Sequence, residues 1–392
     1  MPRQRRSWPV AVLALALACP FAGAGAAPRL PSDPDAVLER VARGGDPRIP
    51  LLVARLAVDP RDLDTATSLA ERYVALARTT QDSRHAGYAQ AALAPWWHQP
   101  DPPPRVLVLR GLLRQHRHDF AGALADIDHA ALATPGDPEV WQARAAVLLV
   151  MGRPAESLAS CRRLRGLALP LVSSVCEAGA AARMGWATVA LVVLEGAIGD
   201  GAELPPELRG WAWSVLAETA AALGRADIAE RAFRAAIAAE PGDAYAVNAY
   251  ADFLLNQGRP AEVAALVGDD LRNDGKLLRL ALAERSLGDP GYEARASELR
   301  ARFAAARLRG DAVGQREEAR FLLAGEPDTA LRLALANWSS QREPSDARVL
   351  LAAALASGRP GSAAPVLAWL AASGIEDVAL RALAARAAEG GS

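Results

Sequence analysis

Along the chain, apolar and small residues recur at spacings of three and four, the mark of helices with one buried face. Glycine or proline punctuates these runs, so the pattern predicts short helices in succession and no strands. The runs also repeat. From Pro104 to Asp137, the residues Leu107, Gly111, Ala123, Ile127, Ala130 and Pro135 occupy positions 4, 8, 20, 24, 27 and 32 of a unit. Gly210 to Asp243 repeats this order with Trp213, Ala217, Gly224, Ala229, Phe233, Ala236 and Pro241, and Pro138 to Leu171 with Trp141, Ala145, Leu148, Gly152 and Ser157. Glycine or alanine at positions 8, 20 and 27 lets two antiparallel helices approach, and a large residue at 4 or 24 fills the groove between them. The closing proline stops the second helix. Gly152, Gly224, Gly258, Gly288, Gly325 and Gly358 fall where a first helix must turn into a second.

This spacing resembles the tetratricopeptide repeat (TPR). The resemblance implies an all-α fold, a TPR-like α-solenoid in which antiparallel helix pairs stack into a right-handed superhelix. Extending the register outward predicts an N-terminal helical cap over 27–62, an atypical helix pair over 63–99 with a longer connection around Gln81 to Arg84, and repeats over 104–204 and 205–344. A C-terminal helix pair and cap occupies 345–392. The whole chain also resembles uncharacterised exported TPR proteins of proteobacteria.

Residues 1–26 read as a signal peptide: Arg3, Arg5 and Arg6 precede the apolar stretch Val10 to Ala18, and small residues follow up to a cleavage site near Ala26. Cys19 after Leu17 and Ala18 resembles a lipoprotein box, which leaves a lipid anchor at Cys19 as an open alternative. Both readings export the protein, to the periplasm or cell envelope of a Gram-negative bacterium. Beyond the leader no apolar run is long enough to span a bilayer. The full 392 residues are 51% hydrophobic with a formal charge of −1, which argues against disorder and removes the electrostatic basis for nucleic-acid binding.

Candidate chemistry is sparse. No Walker loop, dinucleotide turn, His-Glu-x-x-His, Cys-x-x-Cys or nucleophile elbow occurs, so the chain reads as non-enzymatic, with no cofactor and no metal. His116, His118 and His129 with Asp119, Asp126 and Asp128 are better explained as a polar helix surface and turn than as ligands. Trp96 and Trp97 read as packing residues at a helix end, and Glu317 and Glu318 as a solvated face. Cys161 and Cys176 fall on surfaces that pack together in the repeat register; they are either a disulfide, favoured by export, or two buried thiols. What remains is the concave groove that the TPR resemblance implies. It selects Trp211, Ser214, Glu218, Tyr245, Asn248 and Asp252 as contacts for a protein or peptide partner, with a mixed apolar and mildly acidic lining. The Lys, Asn and Arg set by which TPR cochaperones hold a C-terminal carboxylate is missing. The expected function is an exported scaffold, or alternatively an assembly or tethering factor of an envelope machine.

Overall fold

A computed structural model describes residues 46–199, 204–268, 271–308 and 314–390. The leader over 1–26 and the candidate anchor Cys19 lie outside these described residues. Among them the chain is helical without strands. It opens with α1 (Arg48–Val58), the pair α2 (Leu63–Thr80) and α3 (Ser83–Ala92), and the short α4 (Ala94–Trp97). Paired helices follow: α5 (Pro104–His116) with α6 (Phe120–Ala133), α7 (Pro138–Val150) with α8 (Pro154–Arg163), and α9 (Pro170–Ala182) with α10 (Ala187–Gly199). The series continues with α11 (Pro206–Ala222) and α12 (Ala226–Ala239), α13 (Ala244–Asn256) and α14 (Pro260–Val267), and α15 (Asp274–Leu287) and α16 (Tyr292–Leu308). It closes with α17 (Gln315–Leu322) and α18 (Pro327–Trp338), α19 (Pro344–Ala356) and α20 (Ala364–Ser373), and α21 (Val378–Gly390).

The local causes are visible in the sequence. Proline stands in the first turn of α5, α7, α8, α9 and α11, where its missing N–H costs nothing. Asp62, Asp119, Asp137, Asp243 and Asn273 cap α2, α6, α7, α13 and α15 by accepting from backbone N–H groups. Small residues then set how close each pair comes. Ala123 and Ala229 are fully buried. A methyl group added at Gly111 of α5 would lie 2.7 Å from Ile127 Cγ1 of α6, so only glycine fits that crossing. Large residues fill the rest: Phe233 of α12 packs 5.5 Å from Tyr250 and 5.6 Å from Phe253 of α13, ring centre to ring centre.

Charge is also built into the packing. Arg110 and Asp126 are 5% and 6% exposed and joined by paired hydrogen bonds of 2.8 and 2.7 Å. Arg110 further donates to the carbonyls of Trp97 and Gln99, pinning the chain where it leaves α4. Such a pair is costly to break because either partner alone would be a buried, uncompensated charge.

Two expectations need correction. The connection around Gln81 to Arg84 is short, since α3 starts at Ser83, and Gln81 makes the turn with φ of 54°. Gly325 does separate α17 from α18, yet it lacks the positive φ found at Gly152, Gly224, Gly258, Gly288 and Gly358.

Candidate functional site

The groove residues sit on the first helices α11 and α13. Ser214 is buried and its hydroxyl donates to the Gly210 carbonyl at 2.9 Å, and Trp211 is half-buried against the core. Asn248 is buried too: its amide donates to Gln81 Oε1 at 3.0 Å and faces Asn273 Oδ1 at 3.4 Å. Ser214 and Asn248 thus point into packing, because their positions on the helices turn toward neighbouring elements. Tyr245, Glu218 and Asp252 remain partly accessible. Tyr245 is 48% exposed, and its hydroxyl donates to Glu218 Oε1. Arg183, at the end of α9, stands 3.7 Å from the other Glu218 oxygen.

Around these residues lies a network of charges contributed by first helices far apart in sequence. Asp252 accepts from Arg279 at 2.9 and 2.7 Å and from Arg320 at 2.6 Å. Glu317 meets Arg279 at 3.2 Å and Arg316 at 3.0 Å. The expected solvated face at Glu317 and Glu318 is therefore wrong: Arg279 of α15 draws Glu317 inward, and Glu318, 12% exposed at its side chain, pairs with Arg307 of α16. Burial works against ionising Asp252 and Glu317, but the surrounding arginines, Arg279 foremost, hold both carboxyls below the usual range. Glu343 behaves oppositely. Burial and the adjacent Asp346 carboxylate push it up, with Glu218 adding to the effect. The neighbouring Glu218 and Glu343 carboxylates likewise raise the Tyr245 phenol above its ordinary value. The lining thus combines a preset phenol–carboxylate pair with crowded, incompletely neutralised acids.

Successive first helices share one face through the stacking of neighbouring pairs, and in addition the array meets itself. The Gln81 side chain faces Asn273, 192 residues later, at 3.3 Å. Arg342 N donates to the Val150 carbonyl at 2.9 Å, and the Thr188 backbone N–H donates to Glu376, 188 residues later, at 2.8 Å. A methyl group at Gly152 would fall 2.7 Å from Arg342 Cβ, and one at Gly185 would fall 2.8 Å from the Gly374 carbonyl oxygen. The seam therefore runs between the helix-pair turns of the first half and the helix starts of the second. Gln81 and His118 are the non-glycine residues with positive φ among the described residues, at 54° and 61°, and both occupy helix-pair turns where other units place glycine. That oddity was the sequence's only signal of the seam. Arg183 and Glu343, which complete the Tyr245 surroundings, carried none.

The other candidates resolve as follows. Cys161 of α8 and Cys176 of α9 form a disulfide with Cα atoms 5.4 Å apart. His129 Nε2 lies 3.3 Å from Asp101, away from His118, whose ring stacks on Phe120 at 5.4 Å. Burial, aided by Arg316, lowers His118 to about 4. Among the described residues no cluster of His, Cys, Asp and Glu is arranged to hold a metal, and no helix is long and apolar enough to cross a membrane. Trp96 and Trp97 are half-buried, with Arg117 over the Trp97 ring at 6.0 Å.

No protein-family model matches the chain, and no curated protein matches its sequence. Solved structures do. A chain of the APC/C hetero-tetramer Cut9–Hcn1 is similar at 11% identity and a TM-score of 0.41, over 86% of this chain and 52% of that one. This protein therefore spans about half the length of that neighbour. A tetratricopeptide repeat protein from Parabacteroides merdae is similar at 13% identity and a TM-score of 0.38, covering 72% of this chain and 98% of that one. Yeast Tom70 follows at 10% identity and 0.39, covering 87% and 85%. The fold assignment rests on the helix pairs themselves: this chain is an all-α, TPR-like array of stacked helical hairpins.

Proposed function

We propose that the protein is an exported, non-enzymatic scaffold that holds a protein or peptide partner on its inner first-helix face. The carrying observation is the Tyr245–Glu218 pair, a half-exposed phenol fixed on a carboxylate with Arg183 and Glu343 beside it. A preset pair of this kind lowers the ordering cost of association, and the surplus of crowded carboxylates suits a partner with an apolar anchor and basic flanks. Ser214 and Asn248 serve the packing beneath this face, so contact falls to Tyr245, Glu218 and Asp252. Export is supported by the leader over residues 1–26 and by the Cys161–Cys176 bond, which an oxidising compartment preserves.

The test starts with capture of partners from a bacterial envelope extract on the immobilised protein. Titration of the identified partner against Tyr245→Phe and Glu218→Gln variants should then show binding weakened about tenfold, one lost charge-assisted hydrogen bond. Unaltered affinity in both variants removes the inner face from the proposal. Mass analysis of the protein recovered from cells should give an N-terminus near Ala27; a lipid-modified Cys19 would instead identify a membrane-tethered factor.

A further inference from the structure

We propose that a cleft between α6, α7 and α8 docks a peptide segment carrying an acidic side chain beside an apolar one. The cleft holds about 480 Å3 and is walled by Leu132, Pro135, Trp141, Ala159 and Arg163, among others. Its floor is apolar and already ordered. The Trp141 indole N–H donates to the Pro135 carbonyl at 2.8 Å, and the Arg163 guanidinium lies over the ring, 4.9 Å from its centre. Leu132 is 85% exposed and lines the same cleft as the Trp141 indole, so the two offer adjoining apolar surface to an occupant.

The occupant's charge follows from the two arginines of the cleft. Arg144 is neutralised, meeting Asp128 at 2.6 Å and Ser160 at 2.8 Å. Arg163 meets the indole and no carboxylate among the described residues. The cation–π contact holds the guanidinium over the ring, and no hydrogen bond from its N–H groups is seen among the described residues, which favours an arriving carboxylate. An apolar neighbour on the same segment would then cover Leu132 and the Trp141 ring. This cleft lies on α6 to α8, apart from the Tyr245 pair on α11 and α13, so it adds a second surface to the scaffold.

An array of synthetic heptapeptides with varied central residues, probed with the fluorescently labelled full chain, tests the proposal. Retained peptides should place Asp or Glu next to Leu, Ile or Phe. Changing the acid to its amide should weaken binding tenfold or more in solution titrations. Arg163→Glu and Leu132→Ser, both at exposed positions, should each lose the same peptides, and a lysine-for-acid peptide should regain affinity for Arg163→Glu. Tyr245→Phe should leave these peptides bound. The proposal is overturned if no peptide is retained, if retained peptides lack a carboxylate, or if Arg163→Glu binds them unchanged. Loss in Tyr245→Phe alone would assign them to the inner face, sinking the cleft while supporting the first reading.

Discussion

At the scale of single residues, glycine separates local conformation from packing. Gly152 and Gly358 have nearly the same φ, 72° and 66°, but only Gly152 has a neighbour, Arg342, within reach of an added methyl group. Alanine at Gly358 should cost about 1 kcal/mol for its left-handed backbone. Alanine at Gly152 should cost about 1 to 3 kcal/mol more through the collision. Equal denaturation midpoints for the two variants would mean that the seam does not press there. His118 offers a test by pH. Its folded value near 4 lies below the 6.5 of a free imidazole, so the folded state binds fewer protons between these limits. The stability it contributes is complete above pH 6.5 and is lost as the pH falls toward 4. Asparagine tolerates the same left-handed turn, so His118→Asn should flatten that part of the melting-temperature profile relative to the parent.

At the scale of helices, the sequence was most informative where packing is contiguous. Pro138, Leu107 and Ala123 marked a helix start, a groove filler and a crossing point because such roles are played within one unit. The Glu317 error came from the opposite situation, since the arginine that draws it inward belongs to another helix. Substituting Ala123 or Ala229 by Phe should cost about 1 to 3 kcal/mol or more, read as a lowered melting temperature, because no space exists at either crossing. The disulfide ties α8 to α9 across a separation of 15 residues. Removing it with reductant, or by changing both cysteines to serine, should lower stability by about 3 kcal/mol. A melt insensitive to reductant would show the bond to be absent or idle.

For the whole molecule, the decisive contacts are those that a repeat register does not encode. Stacked repeats normally touch only their neighbours, and their stability is close to a sum over units. Here Gln81 meets Asn273 and Thr188 meets Glu376, each pair separated by about half the chain. Removing residues 342–392, which takes away Arg342, Gly374 and Glu376, should therefore accelerate amide hydrogen exchange at 150–153 and 183–188, far from the cut in sequence, as well as in the adjoining α18. Protection unchanged at those turns would mark the seam as incidental. The partner-facing residues were only partly legible for the same reason: Tyr245 and Glu218 could be placed from the repeat, whereas Arg183 and Glu343 arrive from other units. Mechanically, the array of helices from α1 to α21 resembles a spring wound until its coils touch. It has travel left for stretching and almost none for compression, so a load along its axis would meet a soft response in one direction and a hard stop in the other.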